Sequence, residues 1–185
     1  SVELIREAKS KGLQVTCDVH VGQLLYTEID TLSFDTNYKV LPPYRTEMDR
    51  ESLWDGLNDG TIDCIVSDHQ PENIEEKEVE FDNAAFGSLG LQTFYSSLSS
   101  YFNKAHELIL DKITAGPRYI SGLPKVTVEI DEFADFTLFD PTVEWTFNDQ
   151  TNRSKSKNSP LYNSKLIGSA VAVIRGERIK MNKPN

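Results

Sequence analysis

The sequence predicts an α/β fold followed by a small β region, and three observations carry the prediction. Up to about residue 124, apolar residues at helical spacing alternate with short apolar runs. From Val126 the period changes to two. Between these regions in character, Ile62, Cys64, Ile65 and Val66 form a buried parallel-type run that ends abruptly in Ser67-Asp68-His69-Gln70-Pro71. Two domains are therefore expected, one over residues 1–124 and a small β domain over residues 125–185.

The first element is a helix over residues 2–11, with Val2, Leu4, Ile5 and Ala8 on one face and Gly12 as its stop. Residues 13–21 then alternate, with Leu13, Val15, Cys17, Val19 and Val21 on one side and Gln14, Thr16, Asp18 and His20 on the other. In a β/α barrel the polar set faces the interior mouth and the apolar set meets the surrounding helices; a half-exposed edge strand gives the same pattern. Residues 22–37 read as a loop with a short helix, and residues 38–41 as a brief strand stopped by Pro42-Pro43. An amphipathic helix follows over residues 49–57, with Leu53, Trp54 and Leu57 inward.

After the strand at residues 61–67, the acidic stretch 72–82 reads as a solvated loop. A helix is expected to run to about Phe102 and another over residues 106–113, where Thr114-Ala115-Gly116-Pro117 reads as a breaker. Residues 126–130, 136–140, 143–147 and 170–174 read as strands, with Arg175-Gly176-Glu177-Arg178 as a hairpin turn and residues 148–164 as an extended loop.

A formal net charge of −10 and the lack of a basic stripe argue against a nucleic-acid partner. Cys17 and Cys64 lie in apolar runs without CxxC spacing, the pattern of reduced core thiols. No apolar stretch reaches the roughly 20 residues of a membrane helix, and no signal-peptide pattern opens the chain, so a cytoplasmic protein without a membrane partner is expected. The chain opens at Ser1 directly on a helix, as expected of an excised or processed piece.

At the end of a parallel strand, Asp68 is placed where α/β folds keep their chemistry. From its local sequence it is a metal ligand, a general base or the cap of the next turn. A wider set of motifs bears on the choice: Asp35-Thr36-Asn37-Tyr38-Lys39-Val40 with Pro42-Pro43-Tyr44-Arg45, Asp59-Gly60-Thr61-Ile62-Asp63-Cys64-Ile65 with Ser67-Asp68-His69, Glu75-Glu76-Lys77 and Phe86-Gly87. Together with Ala134-Asp135-Phe136-Thr137-Leu138-Phe139-Asp140-Pro141 and Ser154-Lys155-Ser156-Lys157-Asn158-Ser159-Pro160, they resemble, in the same order, the C-terminal half of bacterial dihydroorotases of the amidohydrolase superfamily.

The resemblance implies the C-terminal part of a TIM-type β/α barrel, strands six to eight with their helices, plus a small β-sandwich domain. Strand six would be residues 13–21, strand seven residues 38–41 and strand eight residues 61–67. The family hydrolyses the cyclic amide of dihydroorotate with one or two zinc ions. By resemblance, Asp68 is the catalytic aspartate and a metal ligand, Phe86 and Gly87 contact the substrate ring through their backbone, and Arg45 makes a structural ion pair. His69 supports Asp68, and His106 is a surface residue.

Several positions depart from the family pattern. A metal-binding histidine is expected at the position of Gly22 and a second histidine at that of Gln23; His20, two residues earlier, is the candidate substitute ligand. A substrate-contacting asparagine is replaced by Leu41, and a histidine that holds the substrate carboxylate is replaced by Glu72, whose charge would repel that anion. The expected zinc site is therefore absent or incomplete, and the protein is expected to be noncatalytic. It would act by assembly, with aspartate transcarbamoylase, with a missing N-terminal half, or with copies of itself covering the open edge of strand eight. An active zinc-dependent cyclic amidohydrolase of altered specificity is the alternative.

Overall fold

A computed structural model describes residues 1–101 and 105–182. The chain begins with helix α1 (Val2–Ser10), which leaves through Gly12 at φ +77°, a left-handed turn that glycine adopts without a steric penalty. Residues 13–17 run extended into strand β1 (Asp18–His20), followed at once by the short buried helix α2 (Val21–Leu25). Two 3₁₀ turns, Asp30–Ser33 and Thr36–Tyr38, lead to helix α3 (Glu47–Asn58). A capping box opens α3: Thr46 accepts from the Asp49 backbone while the Asp49 carboxylate accepts from the Thr46 backbone.

Strand β2 (Cys64–Val66) pairs directly and in parallel with β1, Asp18 opposite Cys64 and His20 opposite Val66. The unit is thus β1–α2/α3–β2, a single parallel crossover. Val19, Val21, Leu24, Leu25, Leu57, Ile62, Ile65, Leu98 and Ile109 form its buried core, with Leu53 and Trp54 packed against it. The alternation read in residues 13–21 holds in part: Val19 and Val21 enter that core with Cys17 against it and Gln14, Thr16 and Asp18 lie exposed, but Leu13 is exposed as well, only Asp18–His20 are strand, and Val21 already belongs to α2.

Direct pairing corrects the three-strand assignment. Residues 38–41, expected as a strand between β1 and β2, contribute none, and β1 pairs with β2 directly. The physical reason is local. Tyr38 ends a 3₁₀ turn, and Pro42 and Pro43 have no amide with which to continue a ladder.

Beyond β2 come the short helix α4 (Ile74–Lys77), α5 (Phe94–Tyr101), α6 (His106–Ile113) and α7 (Ala115–Ile120). Phe102, the expected end of α5, lies outside the described residues. α6 ends at Ile113, with Thr114 outside helical geometry as expected of a breaker, and Pro117 then falls in the first turn of a separate helix, α7, where its missing N–H costs nothing. Strands β3 (Asp135–Thr146), β4 (Lys165–Arg175) and β5 (Arg178–Met181) then form one antiparallel sheet in the order β3-β4-β5. The two strands expected at 136–140 and 143–147 are one strand, irregular between Asp140 and Glu144.

Of the expected sandwich, the described residues of this region supply one sheet. Residues 126–130 form no strand, and Val128 and Ile130 stand 86% and 92% exposed among the described residues. The sheet rests on α5 through the Tyr95 and Phe139 rings, 4.1 Å apart at their centroids, and through the Ser96 hydroxyl, which donates to the Gly168 carbonyl at 2.6 Å. No helix among the described residues is long and apolar enough to cross a membrane.

Candidate active site at the end of the parallel strands

The carboxyl ends of β1 and β2 bring His20 and Asp68 together. His20 Nδ1 lies 3.9 Å from Asp68 Oδ2, close enough for attraction and too far for a hydrogen bond. Burial lowers the pKa of His20, and the Asp68 charge pulls it back up. Asp68 itself adopts φ +43°, a left-handed conformation that turns the chain sharply out of β2. Its Oδ1 accepts from the Gln70 side-chain amide at 2.8 Å.

Gly22 has no side chain to offer a metal. It sits inside the buried α2, and a β-carbon there would come within 2.7 Å of both the His20 ring and the Tyr44 hydroxyl, so a side chain at this position would be directed at the His20 ring. Gln23 is engaged structurally, its side-chain amide donating to the Pro42 carbonyl at 2.8 Å. Tyr44, with its pKa pushed up chiefly by burial, packs in a cluster with Tyr26 and Tyr38.

Phe86 and Gly87 lie on a second loop beside the first. The Gln70 amide donates to the Ser88 carbonyl at 3.0 Å, and His69 and Ser88 form a parallel bridge. Phe86 is half exposed with the Lys39 ammonium 4.7 Å from its ring centroid. Gly87 has φ +134°, and a β-carbon on it would lie 2.9 Å from Gln70 Cβ and 3.2 Å from Glu72 Oε1. Glu72 thus sets a carboxylate against the loop that carries Gly87. Burial raises the Glu72 pKa, and Glu76 raises it further.

Sequence reasoning missed two supports of this loop pair. Lys77, read as part of a solvated acidic stretch, is buried, and its ammonium donates to the carbonyls of Ala85 and Gly87 at 2.9 and 3.1 Å. A lone lysine among six acids in residues 72–82 was the available signal. Asn158, read as part of an extended loop, is buried beside Gln70, Glu72 and Gly87. His69 does not support Asp68; its Nδ1 accepts from the amides of Gly90 and Leu91, both at 3.3 Å. His106 is not a surface residue, since its Nε2 is buried and has no hydrogen-bond partner among the described residues. Arg45 is exposed and makes no ion pair among the described residues. Leu41 is exposed. Cys17 and Cys64 are both free thiols.

As a zinc site the arrangement fits in part. Asp68 and His20 offer one carboxylate and one imidazole, whereas a catalytic zinc takes three protein ligands. No group of three histidines, cysteines, aspartates or glutamates among the described residues is arranged to hold a metal. A cavity of about 1210 Å³ lies elsewhere, between α5–α7 and the antiparallel sheet.

No family model matches the chain. Among solved structures, the fold is similar to an L-hydantoinase (dihydropyrimidinase) from Arthrobacter aurescens, with a TM-score of 0.88 and 27% identity, covering all of this chain and 43% of that one. The fold and its acid-bearing mouth therefore place the chain in the class of hydantoinase-like amidohydrolase folds. More specifically, its curated homologues are dihydroorotases. The chain is 41% identical over 177 residues to the dihydroorotase of Ehrlichia canis, covering 94% of this chain and 40% of that protein. It is 38% identical over 179 residues to that of Aquifex aeolicus, covering 95% and 42%. The chain is homologous to the C-terminal part of dihydroorotases and spans about two fifths of the length of these relatives.

Proposed function

We propose that the protein is a dihydroorotase-like chain that does not turn over dihydroorotate and acts by assembly with a partner enzyme. The observation that carries this reading is Glu72, whose carboxylate stands against the Gly87 loop where the family resemblance places the substrate ring. Dihydroorotate is an anion, and a carboxylate at that place repels it instead of pairing with it. Leu41 adds to the loss, because an alkyl side chain offers no hydrogen bond to a cyclic amide. Zinc, when bound in this family, activates water and polarises the amide carbonyl. Of the residues here, Asp68 is the group able to take and return a proton, with His20 holding the second donor position. Aspartate transcarbamoylase is the partner that the resemblance implies, and the outer edges of the two-stranded parallel sheet are the surfaces that a longer chain or a second copy would complete.

A second reading is favoured by the same mouth. The Asp68–His20 pair is intact, and a site without an anion-binding group suits an uncharged cyclic amide of the hydantoin or dihydropyrimidine type, so the protein would be an active amidohydrolase of altered specificity. Calorimetric titration of dihydroorotate into the longest natural form of the protein tests the first reading. It predicts no saturable binding in the wild type and measurable binding in Glu72→His; saturable binding by the wild type would overturn it.

A further inference from the structure

The geometry points to Asn158 as a positioning residue that fixes the Asp68 loop and the Gly87 loop at one separation and ties both to the connection between β3 and β4. Every polar group of this residue apart from its own amide is used, and it is only 5% exposed. Its side-chain nitrogen donates to the Gln70 carbonyl at 2.9 Å and to the Gly87 carbonyl at 3.2 Å, one proton to each loop. Its side-chain oxygen accepts from the Glu72 amide at 3.2 Å. Its backbone carbonyl accepts from the Leu89 amide at 2.8 Å and from the Ser88 hydroxyl at 3.3 Å.

The chemistry requires an amide. A carboxylate of the same shape would face two carbonyl oxygens with no proton to give, and a methyl group would remove the donor to the Gln70 carbonyl and the acceptor of the Glu72 N–H, leaving the Gly87 carbonyl to Lys77 alone. Residues 70 and 87 are 88 and 71 positions from Asn158 in sequence, so these bonds join distant parts of the chain. The two loops carry Asp68 at one end of this contact and Phe86 and Gly87 at the other. Asn158 touches neither the Asp68 carboxylate nor the Phe86 ring in any hydrogen bond or ring contact, so it acts through the loops it holds. The inference rests on the reading of these loops as the site, while its test requires no substrate.

The experiment is amide hydrogen exchange resolved to single residues by NMR, on wild-type protein, Asn158→Asp and Asn158→Ala. The informative amides are Gln70 and Leu89, because their acceptors are the backbone carbonyls of Ser88 and of residue 158, which neither substitution removes. The expected result is at least tenfold faster exchange at Gln70 and Leu89 in both variants, with amides of β4 such as Ala172 within about threefold of wild type; a tenfold change corresponds to about 1.4 kcal/mol of local opening. Acceleration confined to Glu72, or equal acceleration throughout the chain, overturns the inference, because Asn158 would then be an ordinary contact or an ordinary fold residue. If Asn158→Ala does not fold, the isosteric Asn158→Asp decides alone; if neither folds, a role confined to the loops is refuted. Turnover of dihydroorotate by the wild type would end the function proposed above and leave this result as it stands.

Discussion

Gly90→Ala is the perturbation that most sharply probes how the mouth is built. A β-carbon at residue 90 would lie 2.3 Å from the Ser67 carbonyl oxygen and 3.3 Å from its carbonyl carbon. Ordinary contacts between non-bonded heavy atoms begin about 1 Å further out. The obstructing atom is backbone, and Ser67 immediately precedes Asp68, so relief requires moving the turn that carries the acid. Overpacking of this kind costs about 1–3 kcal/mol. Gly60→Ala supplies the comparison, because Gly60 has open space around it but φ +81°, and its cost of about 1–2 kcal/mol comes from backbone conformation alone. Gly90 lies outside the left-handed region, so its cost comes from collision. Urea unfolding followed by tryptophan fluorescence is the assay, with Trp54 beside the α/β core and Trp145 in the β3 strand. Gly90→Ala is expected to lower stability by about 1–3 kcal/mol, at least matching Gly60→Ala. A variant within about 0.5 kcal/mol of wild type would refute the close approach of the two loops.

Leu57→Ala removes a fully buried side chain from the core behind β1 and β2, and an unfolding titration is expected to show a loss of about 2–5 kcal/mol. Asp59 carries a pH prediction: hydrogen bonds from Thr61, with Arg6 beside it, hold its carboxyl down to about 2. Because the folded value is depressed, the stabilisation is present above the unfolded value near 3.9 and is lost as pH falls towards about 2. Thermal melting of Asp59→Asn should therefore fall below wild type above pH about 4 and converge with it near pH about 2, whereas a constant difference across that range would contradict the assignment.

The parts of the fold that were legible in the sequence are those in which one face is buried and the other is not. Residues 13–21 announced their two faces by strict alternation, and α3 announced its inward edge by Leu53, Trp54 and Leu57. Asp68 was legible because a buried run cannot continue through an acid, an imidazole and a proline. What was illegible depended on partners distant in sequence. Residues 38–41 and 126–130 have strand-like composition, but no described strand lies alongside to complete a ladder. Lys77 looked solvated because local composition does not reveal that the Ala85 and Gly87 carbonyls close over its ammonium. Asn158 was hidden in a serine- and lysine-rich run whose exposure alternates residue by residue before it becomes buried at Asn158 and Ser159.

The most direct test is a dihydroorotate hydrolysis assay on the longest natural form of the protein, supplied with zinc, with Asp68→Asn measured in parallel. The account predicts that the two proteins are indistinguishable and that neither exceeds the uncatalysed rate. Turnover by the wild type that Asp68→Asn reduces by orders of magnitude would contradict it, and would show that the carboxylate at Glu72 does not bar the substrate.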